Sequence, residues 1–128
     1  MTPTPQGLLL FAHGARDPAW ALPFQAVAAQ VATRRPDLSL RLAFLEFMAP
    51  DLLAAGDELA AEGCAEVTVL PLFLGAGGHV RKDLPRLLDT LRQRHPGVRF
   101  SLQPAVGEMP AVIDAMAAAA VTALPPSP

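Results

Sequence analysis

The stretch Pro71 to Leu84, PLFLGAGGHVRKDL, carries an apolar run into three glycines and then a histidine. The residues before it, Glu66 to Leu72 (EVTVLPL), read as a strand, with β-branched side chains in the first half. After it, Asp83 is expected to cap a helix whose buried face is Leu84, Leu87, Leu88 and Leu91, with Pro85 in the first turn, where its missing N–H does no harm. His95-Pro96-Gly97 stops that helix. A buried strand, a glycine loop and a helix form one half of a strand–helix–strand unit, and the chain on either side repeats it.

Upstream, Gly7 to Ala12 (GLLLFA) is a short continuous apolar run, the pattern of a strand covered on both faces in a parallel sheet. It ends at His13-Gly14. Asp17-Pro18 reads as a helix start, aspartate at the cap and proline at the first helical position. Trp20, Phe24, Val27, Ala28 and Val31 follow on one helical face, until Arg34, Arg35 and Pro36 end it. Ser39 to Leu45 (SLRLAFL) alternates apolar and polar side chains, as expected of an edge strand, and Glu46 ends it. Pro50 opens a second helix through Leu52, Leu53 and Leu59 to Gly63, its C-cap. Downstream, Val98 to Leu102 is a short fourth strand and Pro110 to Leu124 a closing, alanine-rich helix with Val112, Ile113, Met116 and Val121 apolar.

The order βαβαβαβα predicts an α/β fold: an open parallel four-stranded sheet of order 2-1-3-4, flavodoxin-like, with helices on both faces. The 128 residues suffice for a single domain without disulfide or structural metal, with proline-rich ends (1–5 and 125–128) expected to fray. Hydrophobic residues at 52% and charged residues at 17% exclude a disordered chain. A net charge of −2 carries no basic signal for nucleic acid. The lone Cys64 cannot form an internal disulfide and reads as a small buried side chain, which fits a reducing cytoplasm. The apolar run at the N-terminus is too short for a signal-peptide core or a membrane span.

Open α/β sheets bind ligands beyond the carboxyl ends of their strands, where the strand order reverses. Order 2-1-3-4 puts that point between the first and third strands. His13 follows the first strand, Glu46 ends the second, and His79 sits in the loop after the third, so residues remote in sequence meet at one sheet edge. Two imidazoles and a carboxylate are a ligand set for divalent first-row metals and equally a set of proton acceptors near neutral pH. Against this stands the plainer reading of loop and capping histidines and a solvated glutamate. His95, in the last turn of a helix, is read as a partner of the helix dipole. Gly75, Gly77 and Gly78 are either a mobile connector or bare backbone against which a flat ligand can lie. Neither the phosphate-binding P-loop pattern nor a dinucleotide fingerprint is present. Arg16, Arg81 and Lys82 at the same edge could meet substrate carboxylates; Asp17 and Asp83 are read as caps.

The segments LLLFAHGARDPAW, FLEFMAPDL and LPLFLGAGGHVRKDLP together resemble the CbiX-type family of sirohydrochlorin chelatases, in its short single-domain form. The resemblance runs from the first strand to the third helix. It implies ATP-independent insertion of a divalent metal into sirohydrochlorin, Co²⁺ in the cobalamin pathway or Fe²⁺ in the sirohaem pathway, with Ni²⁺ a further candidate. The metal is then a substrate, and no prosthetic group is implied. By the same resemblance the metal-handling residues are His13, Glu46 and His79, and the short form works as a homodimer, whereas longer relatives carry two such units in one chain. One protomer offers a large flat macrocycle a shelf rather than a cleft, an independent reason to expect a second copy. Leu72, Phe73, Leu74, Phe47 and Met48 are candidates for its apolar surface, and core packing is the competing role for at least half of them. Two rivals remain open at this level: a metal or tetrapyrrole carrier using the same pocket without turnover, and a hydrolase with His13 as nucleophile. Ala12 stands where a histidine phosphatase has arginine, which counts against the second.

Overall fold

The computed structural model describes residues 4–75 and 77–127, with the side chain of His79 also outside the description. Four strands, β1 (Gln6–Ala12), β2 (Ser39–Phe44), β3 (Glu66–Pro71) and β4 (Arg99–Leu102), alternate with four helices, α1 (Leu22–Arg34), α2 (Leu52–Ala61), α3 (Gly78–Arg94) and α4 (Pro110–Thr122). All pairings are parallel and the sheet order is β2-β1-β3-β4, as the alternation predicts. The alternating strand β2 is an edge strand, and the continuous apolar run of β1 is central. The expectations for frayed ends fall partly on residues 1–3 and 128, outside the described residues.

The main core lies between the sheet and the layer of α2 and α3. Leu9 and Phe11 of β1, Val67 and Val69 of β3 and Phe100 of β4 meet Leu52, Leu59, Leu88 and Leu91 there. Each fully buried leucine contributes about 1.5–3 kcal/mol by removal of apolar surface from water. The opposite face is thinner. Ala12, Ala21 and Phe44 are buried there, with Trp20 and Phe24, ring centroids 4.6 Å apart, half-covering them. α1 and α4 contain no fully buried residue. Val27, expected on the buried face of α1, is exposed, as are Ile113, Met116 and Val121 of α4.

The helix boundaries follow local chemistry, with one correction of consequence for the site. Asp17 accepts from the Ala19 N–H (2.9 Å) and caps a 3₁₀ turn, Pro18–Ala21, that leads into α1. Asp51, rather than Pro50, starts α2, accepting from the Ala54 N–H at 2.8 Å. Gly63 lies just past α2 at φ +91°, a left-handed position that glycine occupies without strain. The correction concerns α3, which begins at Gly78 and not at Asp83. Gly77 is its cap, Asp83 lies within it, and Pro85 is accommodated inside it. Val80, Leu84, Leu88 and Leu91 share its buried face, so the apolar stripe starts a full turn earlier than the leucine run suggests. His79 is consequently a residue of the first helical turn rather than of the loop.

Candidate functional site at the carboxyl edge of the sheet

The ladder of backbone hydrogen bonds continues past the formal ends of the strands. The Leu45 N–H donates to the Ala12 carbonyl (2.9 Å), and the Glu46 N–H to the His13 carbonyl (3.1 Å). On the other side of β1, the Leu72 N–H donates to the Phe11 carbonyl at 2.7 Å. His13 and Glu46 are therefore neighbours through their backbones, and Phe73 is brought beside them from β3. Gly14 makes this possible. Its φ is +87°, and a β-carbon there would lie 1.9 Å from the Glu46 carbonyl oxygen.

The His13 imidazole is exposed and lies against Phe73, centroids 4.2 Å apart and planes at 32°. Phe73 is itself buried and packs on Phe11 at 5.7 Å. An aromatic column thus runs from the core to the exposed His13 and gives its ring a fixed floor. Phe73 is core in this role, not substrate surface; Leu74 and Phe47 are exposed, and Leu72 and Met48 are half-buried.

The chain leaves β2 at Phe44, turns out through residues 45–50, and returns so that the Phe44 N–H donates to the Pro50 carbonyl (2.9 Å). Glu46 and Phe47 stand on this closed loop, both exposed. Arg16, in the loop after His13, sets its guanidinium 5.1 Å from the centroid of the Phe47 ring. The two loops thus meet through side chains as well as backbone.

On the β3 side, a β-carbon at Gly75, Gly77 or Gly78 would meet nothing within 4 Å among the described residues. Neither crowding nor positive φ demands glycine there, and their effect is to leave the approach to α3 bare. Among the described residues no side chain caps the helix, and the positive end of its dipole lies beside the glycines. Arg81 reaches Glu108 at 3.8 Å. Both line a cavity of about 390 Å³ that shares Phe73 with the His13 stack and is otherwise mostly apolar. Sequence reading missed Glu108, because nothing local signals that the segment after β4 folds back over α3.

The sheet edge therefore gathers His13, Glu46, Arg16 and Phe47 from the β1 and β2 loops. The three glycines and Arg81 come from the β3 side. The metal-ligand expectation for His79 falls on a side chain outside the described residues. Among the described residues, no three His, Cys, Asp or Glu side chains form a metal-holding group. His95 is remote from this edge: its Nε2 lies 2.7 Å from Oδ1 of Asp57, tying α3 to α2.

Comparison with known proteins bears on the whole of this frame. The family model CbiX matches residues 7–123. The sirohydrochlorin cobaltochelatase of Sulfurisphaera tokodaii is 31% identical over 103 residues, 79% of each chain. That of Methanococcoides burtonii is 29% identical over 82 residues, 64% of this chain; the match spans 63% of that relative's length. Among solved structures, one named a putative cobalamin (vitamin B12) biosynthesis CbiX protein, from Marinobacter aquaeolei, superposes with a TM-score of 0.81 at 30% identity, over 92% of this chain and 96% of that one.

Proposed function

Because the chain belongs to the CbiX family, we propose that it inserts a divalent metal ion, Co²⁺ first and Fe²⁺ next, into sirohydrochlorin without ATP. The observation that carries this reading is the backbone-tied meeting of the His13 and Glu46 loops at the carboxyl edge of the family's sheet. The cobaltochelatase relatives from S. tokodaii and M. burtonii support the choice of metal and macrocycle.

The reaction exchanges two pyrrole N–H protons for one M²⁺, so the site must hold an ion with coordination positions open and give the protons somewhere to go. In this proposal the neutral imidazoles of His13 and His79 hold the ion. The aromatic floor of Phe73 fixes the plane of the His13 ring. Glu46 serves as third ligand or as proton acceptor, and its exposure lets it pass protons to water. Arg16, Arg81 and the N-terminal end of α3 supply positive potential for the carboxylates around the macrocycle. Gly75, Gly77 and Gly78 leave the ring room to approach the backbone.

The same proposal includes a homodimer. The apolar side chains that α4 leaves exposed, Ile113, Met116 and Val121, give a second copy a surface to cover. A facing protomer would turn the shelf into a cleft. Among the described residues no helix is long and apolar enough to cross a membrane, and the proposal places the enzyme in the cytoplasm without a nucleic-acid partner.

An absorbance assay tests the function. Sirohydrochlorin is mixed with the protein, and Co²⁺, Fe²⁺ or Ni²⁺ is added in turn. Loss of the free-macrocycle bands faster than in protein-free controls is the expected result, fastest with Co²⁺. Binding of the macrocycle with no acceleration by any metal would make the protein a carrier instead.

A further inference from the structure

Phe47 is the one non-glycine among the described residues with a positive φ, 66°. A bulky side chain in the left-handed region is a steric outlier, and a glycine or asparagine would make the same turn more cheaply. Burial does not explain the choice. The ring is 58% exposed and lies outside both apolar clusters, whereas its neighbour Met48 packs inward against the smaller one. The backbone twist turns Met48 in and Phe47 out.

The contact that the Phe47 ring does make is with Arg16, whose guanidinium lies over it at 5.1 Å. Arg16 has no carboxylate partner among the described residues. The ring adjoins Glu46, which is bonded through its N–H to the His13 carbonyl. An exposed aromatic side chain and a planar cation with no carboxylate partner thus sit together beside the candidate metal-handling groups. A flat, conjugated, polyanionic ligand fits that pair: the ring takes its face and the guanidinium takes a carboxylate at its rim.

Resting on the chelatase reading, we propose that Phe47 is a stacking platform for the tetrapyrrole face, and that Arg16 anchors a substrate carboxylate beside it. The strained backbone at Phe47 holds the ring out of the core and ready for the ligand, so strain in the free protein serves binding.

The test is titration of metal-free sirohydrochlorin, read by absorbance and fluorescence, with thermal unfolding measured in parallel. Phe47→Gly suits the backbone better than phenylalanine does, so the variant should unfold at the same or a higher temperature. Its dissociation constant for sirohydrochlorin should nevertheless rise about fivefold to tenfold, the worth of an aromatic stacking contact. Phe47→Tyr should bind like the parent, and Arg16→Ala should weaken binding by a similar factor to Phe47→Gly. Unchanged affinity in Phe47→Gly, equal losses in Phe47→Gly and Phe47→Tyr, or a marked fall in the unfolding temperature of Phe47→Gly would each overturn the platform while leaving the chelatase reading intact. Failure of the parent protein to bind sirohydrochlorin would overturn both.

Discussion

Gly14 and Glu46 approach so closely that a β-carbon on Gly14 would stand 1.9 Å from the Glu46 carbonyl oxygen. The loops after β1 and β2 are in backbone contact at this point, and that contact sets His13 beside Glu46. Gly14→Ala must both strain a φ of +87° and push the Glu46 loop away. The left-handed term alone costs about 1–2 kcal/mol. Unfolding in denaturant should show a loss of about 2 kcal/mol or more. Metal insertion should fall about a hundredfold through misplacement of the reacting groups.

Histidine replacements separate the site from the scaffold. His13→Ala and His79→Ala should each lower metal insertion by more than about a hundredfold while the circular dichroism spectrum stays that of the parent. A folded His79→Ala protein with near-parent turnover would remove His79 from the mechanism. His95→Ala is the control. It loses the contact with Asp57 between α2 and α3, at a cost of about 1 kcal/mol in stability, and should leave turnover unchanged.

Gly56 marks the crossing of α2 and α3. A β-carbon there would meet Leu91 Cδ2 at 2.6 Å, and Leu91 is fully buried, so its side chain has nowhere to swing. Gly56→Ala gains helix propensity, up to about 1 kcal/mol, and suffers overpacking of about 1–3 kcal/mol. Overpacking wins, and chemical denaturation should show a net destabilisation of about 1 kcal/mol.

Arg41 fastens the edge strand β2 to α2. Its Nε donates to Glu58 Oε2 at 2.7 Å and its Nη2 pairs with Glu62. The hydrogen bond to Glu58 foremost, and that to Glu62 with the charge of both carboxylates, raises the guanidinium above its ordinary value against a smaller opposing effect of burial. The group stays charged throughout the working pH range. Because the pair is partly exposed, Arg41→Ala should cost about 1 kcal/mol at low salt. The difference from the parent should shrink as ionic strength rises, which a salt series of melting curves reads directly.

The fold was legible because its decisive signals are local. The unbroken apolar run of β1 against the alternation of β2 told a central strand from an edge strand, and Asp17 and Gly63 cap where their chemistry says they should. The start of α3 was misplaced because Pro85 and Asp83 look like a first turn. The stripe of Val80, Leu84, Leu88 and Leu91 at helical spacing held the better signal. At the site, sequence reading named His13, Glu46, Arg16 and Arg81 from their places at strand ends. It named Phe47 as a candidate for the substrate's apolar surface but could not foresee the floor that Phe73 gives His13, the Glu108 carboxylate near Arg81, or the left-handed backbone of Phe47. The first two are long-range contacts, and the third is a left-handed residue without the glycine or asparagine that would announce it.

The hydrogen-bond ladder that runs on past β1 has a kinetic consequence. The amides of Leu45, Glu46 and Leu72 are bonded to carbonyls of the central strand and its immediate extension. They should exchange with solvent deuterium on the slow timescale of the sheet, not the fast one of surface loops. Residues of the candidate site thus sit on backbone tied to the central strand, although the side chains of His13 and Glu46 are exposed. Replacing an exposed side chain of this frame, as in His13→Ala or Glu46→Ala, should therefore leave the slow exchange of these three amides unchanged.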